Sequence, residues 1–185
     1  MMNRTVFFDR DGTLIEDSGY PCNFRSAAVF PGAVEAVKRI NDWGLLAIIV
    51  TNQSAVARGI CSEDQVRRFH EDLTGYFQAK GARIDAAYYC PFLPEGTVAA
   101  YRIDHPWRKP SPGMLLAAAE EWRLDLAKSF LIGDSPRDMQ AGKSTGCRTI
   151  QLISKDRPAP VAPEADETAG NILEAIDQIA KWIGM

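Results

Sequence analysis

Short apolar runs alternate along the chain with stretches whose apolar side chains recur every three or four positions. The runs predict strands at Thr5–Phe8, Leu45–Val50, Ala86–Tyr89, Ser129–Ile132 and Arg148–Gln151. The longer period predicts helices between them. The first begins after Pro31-Gly32 and ends near Trp43-Gly44. The second has Ser62 as N-cap, acids Glu63 and Asp64 in its first turn, and an apolar face of Val66, Phe69, Leu73 and Phe77. A third follows Ser111-Pro112, read as a capping residue with proline at the first helical position. A fourth runs from Pro136 to about Ser144, and the last carries the stripe Ile172, Ile176, Ile179 and Ile183. Strand–helix alternation of this kind predicts an α/β sandwich on a mainly parallel sheet with crossover helices.

Composition narrows the picture without changing it. At 185 residues the chain is expected to be one domain, 1–185, able to bury roughly 70% of its unfolded surface. A net charge of −3 gives no reason to expect a nucleic-acid or membrane partner, and a monomer is expected. Met1-Met2-Asn3-Arg4 runs straight into a strand with no apolar leader region, so a cytoplasmic protein is expected. The four cysteines, Cys22, Cys61, Cys90 and Cys147, are scattered without a CxxC pair and are expected as free thiols. Arg157 to Pro163, with its three prolines, reads as a surface connection.

The chemistry gathers at strand ends. Asp9 and Asp11 follow the first strand, separated by Arg10 and closed by Gly12-Thr13. Carboxylates this close can do two jobs if one is kept ionised and the other has its pKa raised. Thr51-Asn52-Gln53-Ser54 ends the second strand, Gly133-Asp134-Ser135 ends the fourth with Asp138 four residues after Asp134, and Arg108-Lys109-Pro110 precedes the third helix. Each alone could be a cap, a turn or a solvated loop. Together, each at the carboxyl edge where open α/β sheets bind ligands, they predict one shared site. The long irregular stretches Asp17–Phe30 and Pro91–Pro110 leave the same edge, and loops of that length are usually functional or disordered.

In these four motifs the chain resembles the haloacid dehalogenase-type phosphohydrolases over nearly its whole length. Asp9-Arg10-Asp11-Gly12-Thr13, Asp17-Ser18-Gly19-Tyr20, Thr51 to Ser54 with Ala57-Arg58-Gly59, Tyr88-Tyr89-Cys90-Pro91 and Arg108-Lys109-Pro110 are similar to the heptose 1,7-bisphosphate 7-phosphatase branch. The histidinol-phosphate phosphatases are its nearest relatives. The resemblance implies a three-layer Rossmann-like sandwich and an aspartyl-phosphate mechanism. Asp9 would be the nucleophile and Asp11 the acid/base, with Thr51 and Lys109 holding the transferring phosphoryl oxygens. Mg²⁺ would be held by Asp9, Asp134 and the Asp11 carbonyl, with Asp138 supporting from behind. Substrate contacts would come from Asp17, Gly19, Tyr20, Asn52, Gln53, Ser54, Arg108 and Ser135. His70 and Glu71 read as surface residues away from the motifs. A histidinol-phosphate phosphatase, another small phosphomonoesterase or a non-catalytic phosphate-binding module are the alternatives.

Spacing refines this reading. From Asp11 to Thr51 is 40 positions and from Thr51 to Lys109 is 58, so neither gap has room for an inserted cap domain. A capless, open site is expected, suited to a hydroxylated, doubly phosphorylated sugar. Members of the branch usually hold a structural zinc on the loop before Arg108 with a C-x-H…C-x-C ligand pattern. Here those positions read Cys90, Phe92, His105 and Trp107, so no zinc is expected, and Phe92 and Trp107 are expected to close the loop against each other. Ser135 stands where the family often has a basic residue, and Ala55 where glycine is common.

Overall fold

The computed structural model describes residues 2–156 and 158–185. Met1, and Arg157 from the expected surface connection, lie outside the described residues. Strands β1 (Thr5–Phe8), β2 (Leu46–Asn52), β3 (Ala86–Cys90), β4 (Phe130–Gly133), β5 (Arg148–Leu152) and β6 (Glu167–Ala169) form one sheet in the order β3-β2-β1-β4-β5-β6. Every neighbouring pair is parallel. The helices are α1 (Ala33–Asp42), α2 (Glu63–Ala79), α3 (Gly113–Trp122), α4 (Pro136–Ser144) and α5 (Ile172–Ile183). β6 is the strand the periodicity misses; it is a three-residue edge strand with no apolar run to mark it.

Alternation along β1 builds the three layers. Val6 and Phe8 point into a core shared with α1, α2 and α5, while Phe7 points the other way, against residues of α3 and α4. A strand buried on both faces needs apolar side chains throughout, which is why β1 reads as a continuous run. Sheet order reverses between β1 and β4, so their carboxyl ends border the crevice where parallel sheets of this kind bind ligands. Asp9 and Asp134 follow those two strands, and the Asp9 N–H donates to Ile132 O at 2.9 Å, tying the two ends together.

Helix ends follow the sequence with one shift. Ser62 caps α2 in a full capping box with Gln65, and Ser135 caps α4 in another with Asp138. α3 starts one residue later than expected, with Pro112 rather than Ser111 at the N-cap, and the Gly113 N–H bonds back to Pro106 O at 2.9 Å. Both long loops lie at the carboxyl edge and each holds one short 3₁₀ turn, Phe24–Ser26 and Ala99–Tyr101. The sheet has no domain inserted between its described elements. Among the described residues no helix is long and apolar enough to cross a membrane.

The cysteine expectation needs correcting. Cys22 and Cys61 form a disulfide with their Cα atoms 5.6 Å apart, while Cys90 and Cys147 are free and buried. The pair joins the loop after β1 to the loop after β2. Such a pairing between residues 39 apart is set by the fold, and spacing alone does not reveal it.

Candidate active site

Lys109 is the centre of the site floor. Its ammonium is buried and donates to Asp9 Oδ1 at 2.7 Å, to Val50 O at 2.7 Å and to Asp138 Oδ1. Burial alone would lower the pKa of such an amine, but the Asp138 and Asp9 carboxylates outweigh it and raise it, so Lys109 stays charged. Burial pushes the Asp138 carboxyl above its usual range against the pull of Lys109. Asp138 Oδ2 also accepts from the Ser135 N–H at 3.1 Å, so both its oxygens are engaged. The Lys109 backbone is clamped by Asn52, whose amide accepts from Lys109 N at 3.0 Å and donates to Lys109 O at 2.9 Å, and the following Lys109–Pro110 bond is cis.

Asp11 is fixed from behind. Arg10 has no exposed surface, an unusual state for arginine, and its guanidinium grips both Asp11 oxygens at 2.9–3.3 Å. The cation lies 4.2 Å over the Phe69 ring and also meets Gln53 Oε1 at 2.8 Å and His70 Nε2 at 3.4 Å. Gln53 closes the network, donating to Asp11 Oδ2 at 2.8 Å and Thr51 Oγ1 at 2.9 Å. Burial raises the Asp11 pKa; Arg10 pulls it back and the charge of Asp9 raises it further, with a net upward shift. His70 is therefore not the surface residue the sequence suggested. It is buried, burial and the Arg10 charge lower its pKa to about 3, and a neutral ring can accept from Arg10. Helical spacing carried the signal, since His70 lies four residues after Val66 and three before Leu73 on the apolar face. Glu71 is exposed as expected.

A cavity of about 250 Å³ opens over this floor, lined by Asp9, Asp11, Asp17, Thr51, Asn52, Lys109, Asp134, Ser135, Arg137 and Asp138. A wider one of about 610 Å³, between the loop after β1 and the start of α5, shares Asp17 and Asp134 with it. Carboxylate oxygens of Asp9, Asp134 and Asp138 come within 4.8 Å of one another. An all-oxygen set of this kind suits a hard divalent cation, and with both oxygens of Asp138 committed to Lys109 and Ser135, Asp9 and Asp134 are the carboxylates placed to hold it.

The expected substrate contacts divide. Asp17, Asn52 and Ser135 line the cavity, though Asn52 is committed to the Lys109 backbone and Ser135 to capping α4. Gln53 is a correction: it is buried and both ends of its amide serve the Arg10–Asp11–Thr51 network instead of facing the cavity. Ser54 is half-buried and outside the cavity lining. Gly19, with φ of +96°, closes a turn onto Asp17 Oδ1, and Tyr20 is exposed beneath the Arg58 guanidinium, 5.9 Å from its ring. Arg108 is half-buried and donates to Phe92 O at 3.1 Å. Arg10, His70 and Arg137 are the residues near the site that the motif reading left out.

The loop over the site is closed by rings. The expected Phe92–Trp107 contact is mediated by His105, which stacks on Phe92 at 4.4 Å and meets Trp107 edge-on at 6.1 Å. His105 Nδ1 accepts from the Trp107 N–H at 3.1 Å, and Trp107 packs against Tyr88 at 6.0 Å. Phe92 and Trp107 offer no ligand atom where a four-ligand zinc site would need one.

Comparison with known proteins agrees with this geometry. The HAD-hydrolase-like family matches residues 106–174. D-glycero-alpha-D-manno-heptose-1,7-bisphosphate 7-phosphatase of Burkholderia mallei is 38% identical over 95% of this chain and 93% of its own. The beta-heptose enzyme of Pasteurella multocida is 37% identical over 98% and 97%. Among solved structures, D,D-heptose 1,7-bisphosphate phosphatase from B. bronchiseptica, complexed with magnesium and phosphate, superposes with a TM-score of 0.81 at 25% identity, covering 97% of this chain and 99% of that one. With identity this high across nearly the full length, and with the strand-end motifs meeting at one cavity, the chain belongs to the D-glycero-D-manno-heptose-1,7-bisphosphate 7-phosphatase family of HAD-like hydrolases.

Proposed function

We propose that the chain, acting as a single phosphatase domain 1–185, removes the C7 phosphate of D-glycero-D-manno-heptose 1,7-bisphosphate through an aspartyl phosphate on Asp9. The carrying observation is the shared crevice: Asp9 is oriented by Lys109 at 2.7 Å while Asp11 is held at the same cavity by Arg10 and Gln53. Asp9 Oδ attacks phosphorus as the P–O7 bond breaks, and Asp11 delivers its proton to the departing sugar oxygen. Burial, which raises the Asp11 pKa, favours its carrying that proton. Asp11 then takes a proton from the water that attacks the phosphoenzyme, restoring Asp9 and releasing phosphate. Thr51 Oγ1 already accepts from Gln53, so its own hydrogen is free for a phosphoryl oxygen. The Lys109 N–H groups are all engaged, so Lys109 serves first to aim and charge-balance Asp9. Mg²⁺, held by Asp9, Asp134 and the Asp11 carbonyl, would offset the repulsion between carboxylate and phosphate.

Phosphate release with Mg²⁺ from both anomers of the heptose bisphosphate and from histidinol phosphate tests the substrate. Preference for a heptose bisphosphate is expected, and preference for histidinol phosphate would overturn the reading. We also read the 91–107 loop as free of zinc, because Phe92 and Trp107 fill two of the positions a zinc site would need; stoichiometric zinc by elemental analysis would sink that. A cytoplasmic monomer is the further expectation. A reducing cytoplasm would hold the Cys22–Cys61 bridge open, and thiol counting in freshly lysed cells against purified protein checks the compartment.

A further inference from the structure

Among the described residues two cations, Lys109 and Arg137, line the catalytic cavity, and one of them is used. Lys109 has its N–H groups committed to Asp9, Asp138 and Val50 O. Arg137 is exposed, and among the described residues its guanidinium has neither an ion pair nor a hydrogen bond. Its position makes this costly. Arg137 is the second residue of α4, where backbone N–H groups already create positive potential and carboxylates are the favoured side chains. Arg108 directly precedes the cavity-lining Lys109, and burial lowers its pKa, as do the nearby charges of Arg137 and Arg58, against the opposing pull of Cys90 and Glu95. The Arg137 and Arg108 guanidinium groups are thus near enough to repel each other. Among the described residues the Arg108 guanidinium makes one hydrogen bond, to Phe92 O, and its remaining N–H groups can serve a ligand. Natural chains break local rules of this sort mainly at functional sites.

We infer that Arg137 is a further substrate-binding residue, closing with Arg108 on the second phosphate of the substrate while the first sits at Asp9. This rests on the bisphosphate reading of the site. Two planar guanidinium forks present parallel N–H donors that match phosphate oxygens, and a dianion between them converts their repulsion into attraction. The bound group is the phosphate on the sugar carbon remote from the bond being broken.

The test compares one sugar with and without that phosphate. kcat/KM is measured for heptose 1,7-bisphosphate and for heptose 7-phosphate in the wild type, Arg137→Ala and Arg137→Lys. Because Arg137 is exposed, these variants should fold, which thermal unfolding checks. The ratio of bisphosphate to monophosphate kcat/KM is expected to fall about tenfold or more in Arg137→Ala and to recover in part in Arg137→Lys. A ratio in Arg137→Ala within about twofold of wild type would overturn the role of Arg137 and leave the substrate reading standing. A wild-type ratio near one would overturn the bisphosphate reading itself and the subsite with it.

Discussion

On the cavity floor, a lysine is buried because three acceptors meet its ammonium, two of them the carboxylates of Asp9 and Asp138. In the loop from Phe92 to Trp107, which passes over the same edge of the sheet, the joining groups are rings stacked through His105. Both regions are held by side chains, but in different currencies. Removing one member of the charged group strands the others in a low-dielectric site, whereas removing a ring loses contact area and little else. Chemistry is therefore lodged where geometry is enforced by charge, and the wall can change its fastening while the floor stays intact.

The contrast can be broken most sharply at Lys109. Lys109→Met keeps most of the volume and removes the charge, leaving Asp9 and Asp138 facing each other. It should cost about 3–5 kcal/mol in denaturant unfolding. Phosphate release should fall by about 100-fold or more, since the nucleophile loses the group that aims it.

The underside of the floor gives the next largest effect. His70 is neutral in the fold, its pKa lowered to about 3, while in the unfolded chain it takes up a proton near its ordinary value of 6.5. Its contribution to stability is thus present above the unfolded value and is lost as pH falls from there toward the folded one. Between pH 7.5 and pH 5 the protein should lose about 2 kcal/mol from this group. His70→Gln, which keeps an acceptor for Arg10, should flatten that part of a pH series of unfolding curves.

The wall should respond least. Phe92→Ala removes a half-buried ring and is expected to cost about 1–2 kcal/mol, with kcat held within about threefold. KM should rise, because the ring stacked on His105 fixes the segment whose backbone carbonyl, Phe92 O, accepts from Arg108. A variant in which kcat collapsed while KM held would erase the distinction between floor and wall.

The sequence exposed the site better than its supports. Asp9, Thr51 and Asp134 were legible because an apolar run ends immediately before each, and strand direction then places them at one edge. Lys109 was legible only through its motif, since nothing local shows that its ammonium reaches Asp9, 100 residues away in sequence. Arg10 hid because residue type argues for exposure, and its burial depends on Phe69, Gln53 and His70 arriving from elsewhere in the chain. A motif gives position and not which partner an amide will find: Gln53 turns to the Arg10–Asp11–Thr51 network, and Asn52, in the cavity lining, holds the Lys109 backbone. The Cys22–Cys61 bridge and the three-residue β6 likewise depend on tertiary neighbours.

The measurement that bears most directly on this account is phosphate release from heptose 1,7-bisphosphate, with Mg²⁺, by the wild type and by Asp9→Asn. The substitution keeps the size and hydrogen-bonding reach of the side chain and removes the nucleophilic carboxylate. Wild-type turnover with a loss of roughly 10⁴-fold or more in a variant that remains folded is the expected result. Undiminished release by Asp9→Asn would contradict covalent catalysis at this site.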